Sequence, residues 1–292
     1  MRYTLALAVN LLLESLHSGR SFFAAELRPP RAELASAAGM DAWIDTYHAV
    51  RTLAAHDTFV FLTGSAVGVP EEDNLRHLIV NLGDAAPVDH VVPFLTSKHP
   101  LDYCLGYADR AVQSGFTSLV VLGGDRRVGA PRSVEHAWQL RRAIRDRGAD
   151  LVLGGWANPH REAARQVGYL GDREFSAEFF LTQVVSHHDP KPVERFLTEF
   201  ARQGVDLPGV FGVFYYRSAN PRTLALLGEF IPVPADGLTR EFGAGVPPEE
   251  VCARTIRSLV GLGAHRFYIS NLPLARTQET LRAVLDRVGP VA

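Results

Sequence analysis

A single carboxylate, Glu26, stands near the end of the apolar run Phe-Phe-Ala-Ala-Glu-Leu and is followed at once by Arg28-Pro29-Pro30. Proline cannot donate to a strand ladder, so the run stops there and the carboxyl lies at a strand's C-terminal end. Seven further β-rich runs close on polar or aromatic tips: Thr63, Thr96, Gly124-Asp125, Trp156 to His160, Thr182-Gln183, Tyr215-Tyr216, and Tyr268 with Asn271. Gathered in one mouth, these supply an acid, a second carboxylate, an amide and several aromatic plates. That set suits a flat, neutral heterocycle that needs stacking, a few hydrogen bonds and one proton. A carboxyl in such an apolar mouth has its pKa raised by desolvation and can serve as a general acid.

Other chemistries fit less well. A magnesium-dependent barrel would show two or three Asp/Glu ligands on successive strands, and a Schiff-base aldolase a strand lysine. Here no strand carries a lysine, and Lys98 falls in the loop beyond the third strand. His187-His188-Asp189 has metal-ligand residue types, but adjacent side chains in extended backbone point to opposite sides, and Pro190 signals the start of a helix. No metal is therefore expected there. Glu26 has an alternative as a rim residue paired with Arg28 or Arg126, and Leu-Gly-Gly-Asp an alternative as a tight turn capped by Asp125 before a helix starting near Ser133. Tyr215 and Tyr216 take opposite faces, so only one of them can look into the mouth.

The elements that must position these residues follow from periodicity. Strands are expected at Phe22–Leu27, Thr58–Thr63, His90–Thr96, Ser118–Gly123, Asp150–Trp156, Glu178–Gln183, Val210–Tyr216 and Arg266–Ser270, alternating with helical patterns. In the helix Val193–Arg202, Val193, Phe196, Leu197 and Phe200 recur at i, i+3, i+4 and i+7; in Glu249–Leu262, Cys252, Ile256, Leu259 and Val260 form one stripe, with Gly263 as C-cap. Several strands are almost continuously apolar, as in a parallel sheet covered by helices. Eight strand and helix units predict a closed (β/α)8 TIM barrel, and the first strand lacks the GxGxxG turn of a dinucleotide-binding open sheet. One domain is expected, with residues 1–20 as an N-terminal helix under the barrel and 21–292 as the barrel itself.

With 292 residues, 47% of them hydrophobic, the chain can bury a large core. Its net charge of -2 gives no basic field for a polyanion, which argues against nucleic acid. The run Thr4–Leu16 is interrupted by Asn10 and Glu14 and is followed by no small-x-small cleavage site, so a helix is expected there rather than a secretory signal. No stretch reaches the length of a membrane span. Cys104 and Cys252 lie far apart in helical patterns and are expected as buried thiols in the reducing cytoplasm.

The order of these motifs resembles the methylenetetrahydrofolate reductase family over about Ser21 to Leu285. The family's Phe-Glu-Phe-Phe-Pro-Pro motif is similar to Ala-Glu-Leu-Arg-Pro-Pro around Glu26, and its Val-Thr and His-Leu-Thr strand ends are similar to those at Thr63 and at Phe94-Leu95-Thr96. Its Leu-Arg-Gly-Asp turn is similar to Leu122-Gly123-Gly124-Asp125, and its Thr-Gln pair to Thr182-Gln183. Pro-Gly-Ile is matched by Pro208-Gly209-Val210, and His-Phe-Tyr-x-x-Asn by Arg266 to Asn271. The resemblance implies reduction of 5,10-methylenetetrahydrofolate to 5-methyltetrahydrofolate, with NADH or NADPH as reductant and FAD as carrier. It implies that Glu26 helps open the five-membered ring to an iminium, that Asp125 lies by the flavin and pterin, and that Gln183, Tyr216 and Tyr268 belong to the folate site. Flavin contacts are implied for Thr63, Thr96, Gly124, Asp125, Trp156, His160 and Arg173. The partners so implied are a folate and a nicotinamide, and copies of the chain where it forms a homo-oligomer.

Departures concentrate on the flavin side. The family's histidine before Leu-Thr is Phe94, its arginine before Gly-Asp is Gly123, and its basic Asn-Leu-Lys-Arg-Lys run is Leu-Gly-Asp-Arg-Glu at Leu170 to Glu174, leaving Arg173 alone. Charge-assisted phosphate contacts contribute roughly 1.5–3 kcal/mol each. Either Arg126, Arg127 or Arg132 takes over, or FAD is not held tightly. Two further functions therefore stand beside the flavoenzyme: direct hydride transfer from a nicotinamide or deazaflavin, and a non-reducing pterin- or methyl-binding subunit.

Overall fold

The structure, a computed structural model, describes residues 10–30, 36–64, 75, 87–126 and 129–291. Eight strands, β1 (Phe22–Leu27), β2 (Phe59–Leu62), β3 (Val91–Thr96), β4 (Ser118–Leu122), β5 (Val152–Ala157), β6 (Phe179–Thr182), β7 (Gly209–Phe214) and β8 (Arg266–Ser270), close in sequence order into a barrel. Every pairing is parallel, and β8 returns to β1 through Phe22↔Arg266 to Glu26↔Ser270. The chain is therefore a TIM barrel. The ends of β1 and β8 coincide with the sequence expectation, and no end of the other strands differs from it by more than two residues.

Parallel neighbours require a return path, which helices supply. Among the described residues these are α1 (Leu11–His17), α2 (Ser36–Ala54), α3 (Leu101–Gln113), α4 (Ala137–Asp146), α5 (Ala163–Gly171), α6 (Lys191–Gln203), α7 (Pro221–Gly228), α8 (Ala235–Gly243), α9 (Pro248–Gly261) and α10 (Thr277–Val288). The helix expected from near Ser133 begins four residues later, because the segment after Asp125 first crosses back to β3: Ser133 N–H and Oγ both donate to the Ser97 carbonyl. In α6 the stripe buries Val193 and Phe196, and in α9 it buries Cys252, Ile256 and Leu259. Gly263, with φ +94°, follows the Leu262 cap. Both cysteines are buried thiols, neither of them in a disulfide. No helix of the described residues is long and apolar enough to cross a membrane.

Two layers of core result. An outer layer lies between strands and helices; the inner one fills the barrel with Phe22, Phe59, Phe61, Phe94, Phe179 and Tyr268, among others. The lower end of the inner layer is closed by α1. Leu12 and Leu16, both 0% exposed, belong to it. Asn10 fixes the helix at both levels: Oδ1 caps Leu13 N–H, while Nδ2 donates to Thr117 O and Ser118 Oγ at the start of β4. The bottom-closing helix expected from the sequence is thus seen for residues 11–17; residues 1–9 lie outside the described residues.

Candidate active site

Side chains alternate across a strand, so the inner core fixes which tip residues face inward. Stepping by twos from Phe22 and Ala24 reaches Glu26; from Phe59 and Phe61, Thr63; from Val92 and Phe94, Thr96; from Phe179 and Leu181, Gln183. Tyr268 belongs to the inner core itself, and Trp156 packs against it. Eight parallel strands bring all these ends to one face, where barrel enzymes hold their reacting groups.

Glu26 is half-buried above an aromatic layer. Its partner in register on β2 is Phe61, whose ring meets Phe94, Phe179 and Tyr268 at centroid distances of 6.2, 6.5 and 6.1 Å. On its other side stands Ser270. Burial among these rings pushes the Glu26 carboxyl above the ordinary carboxylate range, against the opposing effects of the Arg28 charge and a hydrogen bond from Ser270. Such a group keeps its proton to higher pH than an exposed carboxyl, as a general acid requires.

Below Glu26 the Tyr268 side chain, 1% exposed, passes over Gly212 of β7 and donates its hydroxyl to Thr182 O on β6 at 2.6 Å. It can do so because residue 212 is glycine: a Cβ there would lie 2.4 Å from the tyrosine oxygen. Thr182 in turn accepts the Gly212 N–H on Oγ1 at 3.0 Å, so that pairing of β6 and β7 is completed by a side chain. Tyr268 is therefore the floor of the mouth. Next along β6, Gln183 turns its Oε1 back onto the N–H of Val184 at 2.9 Å. Its Nε2 has no protein partner among the described residues and offers two donors to a ligand.

The β4 tip is built around an arginine. A Cβ at Gly123 would lie 2.6 to 2.9 Å from the guanidinium of Arg132, which stands over that glycine and donates to the Gly124 carbonyl. Arg132 Nε is buried without a hydrogen-bond partner among the described residues. Burial and the Arg126 charge lower its pKa, while Asp125 opposes them. Ser97 Oγ holds the Gly123 carbonyl at 3.0 Å, and Lys98 Nζ donates to Ala130 O at 2.6 Å. Thr63 donates both N–H and Oγ1 to Leu27 O, and Thr96 O receives the Cys104 thiol. These two threonines fasten strand ends.

Tyr216 is buried beside Val184, Leu224, Leu238 and Val251, with its ring 4.8 Å from Phe214. Burial raises its hydroxyl pKa, so it stays neutral. It lines a cleft with Arg217, Thr223 and Asn271. Tyr215 faces the opposite way and donates to Glu249 on α9 at 2.7 Å. His160 directs Nε2 at Val184 O, 2.9 Å away, so that nitrogen carries the hydrogen.

Against this geometry, the solved structures are informative about fold. The chain is similar in shape to a folate-binding barrel. That protein, from Clostridium thermocellum and described as binding two copies of 5-methyl-5,6,7,8-tetrahydrofolic acid, superposes with a TM-score of 0.67 at 13% identity, over 95% of this chain and 97% of its own. An F420-dependent secondary alcohol dehydrogenase, solved with an F420-acetone adduct, gives a TM-score of 0.56 at 12% identity, over 93% of this chain and 100% of its own. The carboxyl transferase domain of Rhizobium etli pyruvate carboxylase gives 0.54 at 12%, covering 88% of this chain and 41% of that one. No family model matches the sequence, and no curated protein matches it.

Two expectations are corrected. Arg173 is exposed in the turn Arg173–Phe175 that leads from α5 into the start of β6. Helix α5 has carried the chain away from the strand tips by then, so the structure does not bring Arg173 to the mouth with Glu26 and Gln183. The histidines do not diverge. A turn closed by Asp189 N–H to Ser186 O curls the backbone, and the His187 and His188 rings lie side by side, centroids 4.0 Å apart and tilted by 35°. Pro190 does precede a helix, α6. Arg127 lies outside the described residues. Ser270 was missed by sequence reasoning; the same step of two, taken from Tyr268, would have found it.

Proposed function

We propose that this chain reduces the methylene bridge of a tetrahydrofolate-type pterin to a methyl group, as in the methylenetetrahydrofolate reductases its motifs resemble. The observation that carries it is Glu26: one inward carboxyl at the end of β1, over an aromatic layer, with its pKa raised by burial. A proton from Glu26 to the bridging nitrogen breaks its bond to the methylene carbon and leaves an iminium. Hydride then adds to that carbon to give the methyl product, and solvent reprotonates Glu26. Gln183 Nε2 donates to the pterin, Tyr216 packs against the folate, Asp125 orients the pterin edge, and Tyr268 supports the floor.

The hydride source has two candidates. For FAD, the implied contacts are Thr63, Thr96, Gly124, Asp125, Trp156, His160 and Arg173, but the residues do not fit its phosphates well. Arg173 is remote from the mouth, Lys98 donates to Ala130 O, and Arg132 donates to the Gly124 carbonyl. The placement of Arg173 favours the second candidate, direct transfer from reduced nicotinamide to the iminium in a ternary complex.

Deuterium labelling separates them. Purified protein is given methylenetetrahydrofolate and NADH or NADPH deuterated at C4. Complete retention of one deuterium in the methyl group, in protein without a flavin absorption band, supports direct transfer. A flavin band bleached by the nicotinamide supports FAD. Folate binding with no oxidation of either nicotinamide overturns the reductase and leaves a pterin-binding subunit.

A further inference from the structure

Outside the mouth, His187, His188 and Glu241 come together, with one nitrogen or carboxylate oxygen of each lying within 4.8 Å of the others. Three elements meet there: the loop after β6 brings the histidines, α8 brings Glu241, and α9 brings Thr255 and Arg254. Nε2 of His187 is 3.2 Å from Glu241 Oε1, and Nε2 of His188 is 3.1 Å from Oε2. A tetrahedral ion bound at ~2.0–2.1 Å separates its donors by about 3.4 Å, close to both spacings.

The hydrogen positions around His187 bear on what lies between these atoms. Thr255 Oγ1 faces the Val251 carbonyl of its own helix at 3.5 Å, the bond a helical threonine donates, and it accepts the His187 backbone N–H at 3.5 Å. With that hydroxyl hydrogen so placed, Thr255 Oγ1 can accept from His187 Nδ1–H across their 2.8 Å contact. In that tautomer the Nε2 lone pair faces the Glu241 carboxylate and is open to a metal ion between them. An Nδ1–H held by an oxygen is also how a metal-ligating histidine is oriented. The seat for His188 is cleared by Gly237, where a Cβ would lie 2.4 Å from Nδ1 of the ring. Arg254 donates to Glu241 Oε1 at 2.7 Å and to Glu250 at 3.1 Å, so its charge is shared between two carboxylates.

We propose that His187, His188 and Glu241 bind a borderline divalent metal ion, Zn2+ being the best fit to two imidazoles and a carboxylate. The three side chains are 16%, 16% and 11% exposed, which leaves a coordination position reachable from solvent. The ion clamps the loop that continues from Gln183 onto α8 and α9. The site is independent of the reaction proposed above.

The test uses the full chain stripped with EDTA, titrated with ZnCl2 by calorimetry and with CoCl2 by visible absorption. The expected result is saturable binding of one ion per chain, with the intense bands of low-symmetry, nitrogen-ligated Co2+. The thermal midpoint rises by about 5 °C with zinc at about a hundredfold above its Kd. Separate His187→Ala and His188→Ala variants each lose at least about tenfold in zinc affinity. If either variant fails to fold, the wild-type stoichiometry and cobalt spectrum still decide. The absence of saturable zinc binding, a Co2+ spectrum of the hexaaqua type, or undiminished binding in the His187→Ala/His188→Ala double variant overturns the site.

Discussion

The guanidinium of Arg132 occupies the space over Gly123 that a β-carbon at that position would take, and it holds the Gly124 carbonyl. An arginine from outside the Leu-Gly-Gly-Asp turn thus stands over its first glycine. The two residues should be energetically coupled. Arg132→Ala removes the bond to Gly124 and costs about 1 kcal/mol. Gly123→Ala costs a similar amount, because the flexible arginine end moves aside and gives up that bond. Once Arg132 is gone there is nothing to displace, so the double variant is less destabilised than the sum by at least about 0.5 kcal/mol in urea unfolding. Strict additivity would remove the coupling.

Glu26→Gln keeps the shape and hydrogen-bonding capacity of the side chain but cannot deliver a proton. Turnover of methylenetetrahydrofolate should fall by at least about a hundredfold, while folate affinity changes by less than about tenfold. Stopped-flow nicotinamide oxidation and equilibrium folate binding measure the two. Near-normal turnover rules Glu26 out as the acid.

The raised pKa of Glu26 also has a sign in stability. Between the ordinary carboxylate range and its raised folded value, the folded chain retains a proton that the unfolded chain has released. Stability contributed by this residue therefore falls as pH rises through that window and is level above it. Glu26→Gln abolishes the slope, so the variant gains on the parent as pH increases from below to above the window. Denaturant midpoints at a series of pH values test this, and a difference that does not vary with pH refutes it.

Tyr268→Phe leaves the Thr182 carbonyl without the 2.6 Å bond it accepts inside the barrel, at a cost of about 1–3 kcal/mol. Gly212→Ala drives a methyl into the same hydroxyl and costs about 1–3 kcal/mol through displaced packing. Both losses are read as shifts in urea midpoint with unchanged slope. Because the floor sits beneath Glu26, each variant should also reduce turnover, whereas Leu197→Ala on the outer helix α6 should spare it.

Much of the barrel was legible in the sequence because its signals are local. An apolar run and a proline pair end β1 after Glu26, and helix stripes such as Val193 and Phe196 need only their own neighbours to be recognised. The inward parity of Glu26, Thr63, Thr96 and Gln183 also follows, since alternation along a strand is a property of the strand.

What distance in sequence separates was not legible. Ser270 meets Glu26 only because β8 closes on β1, and Arg132 reaches Gly123 only because a loop folds back. His187 and His188 defied the strand rule because the chain turns there, and only α8 and α9 supply Glu241 and Thr255 to the pair. By itself the sequence determined a (β/α)8 barrel with an acid at one strand tip. The tertiary structure decided which groups surround that acid and which leave the mouth, because burial, and hence proton affinity, depends on contacts made across the barrel rather than along the chain.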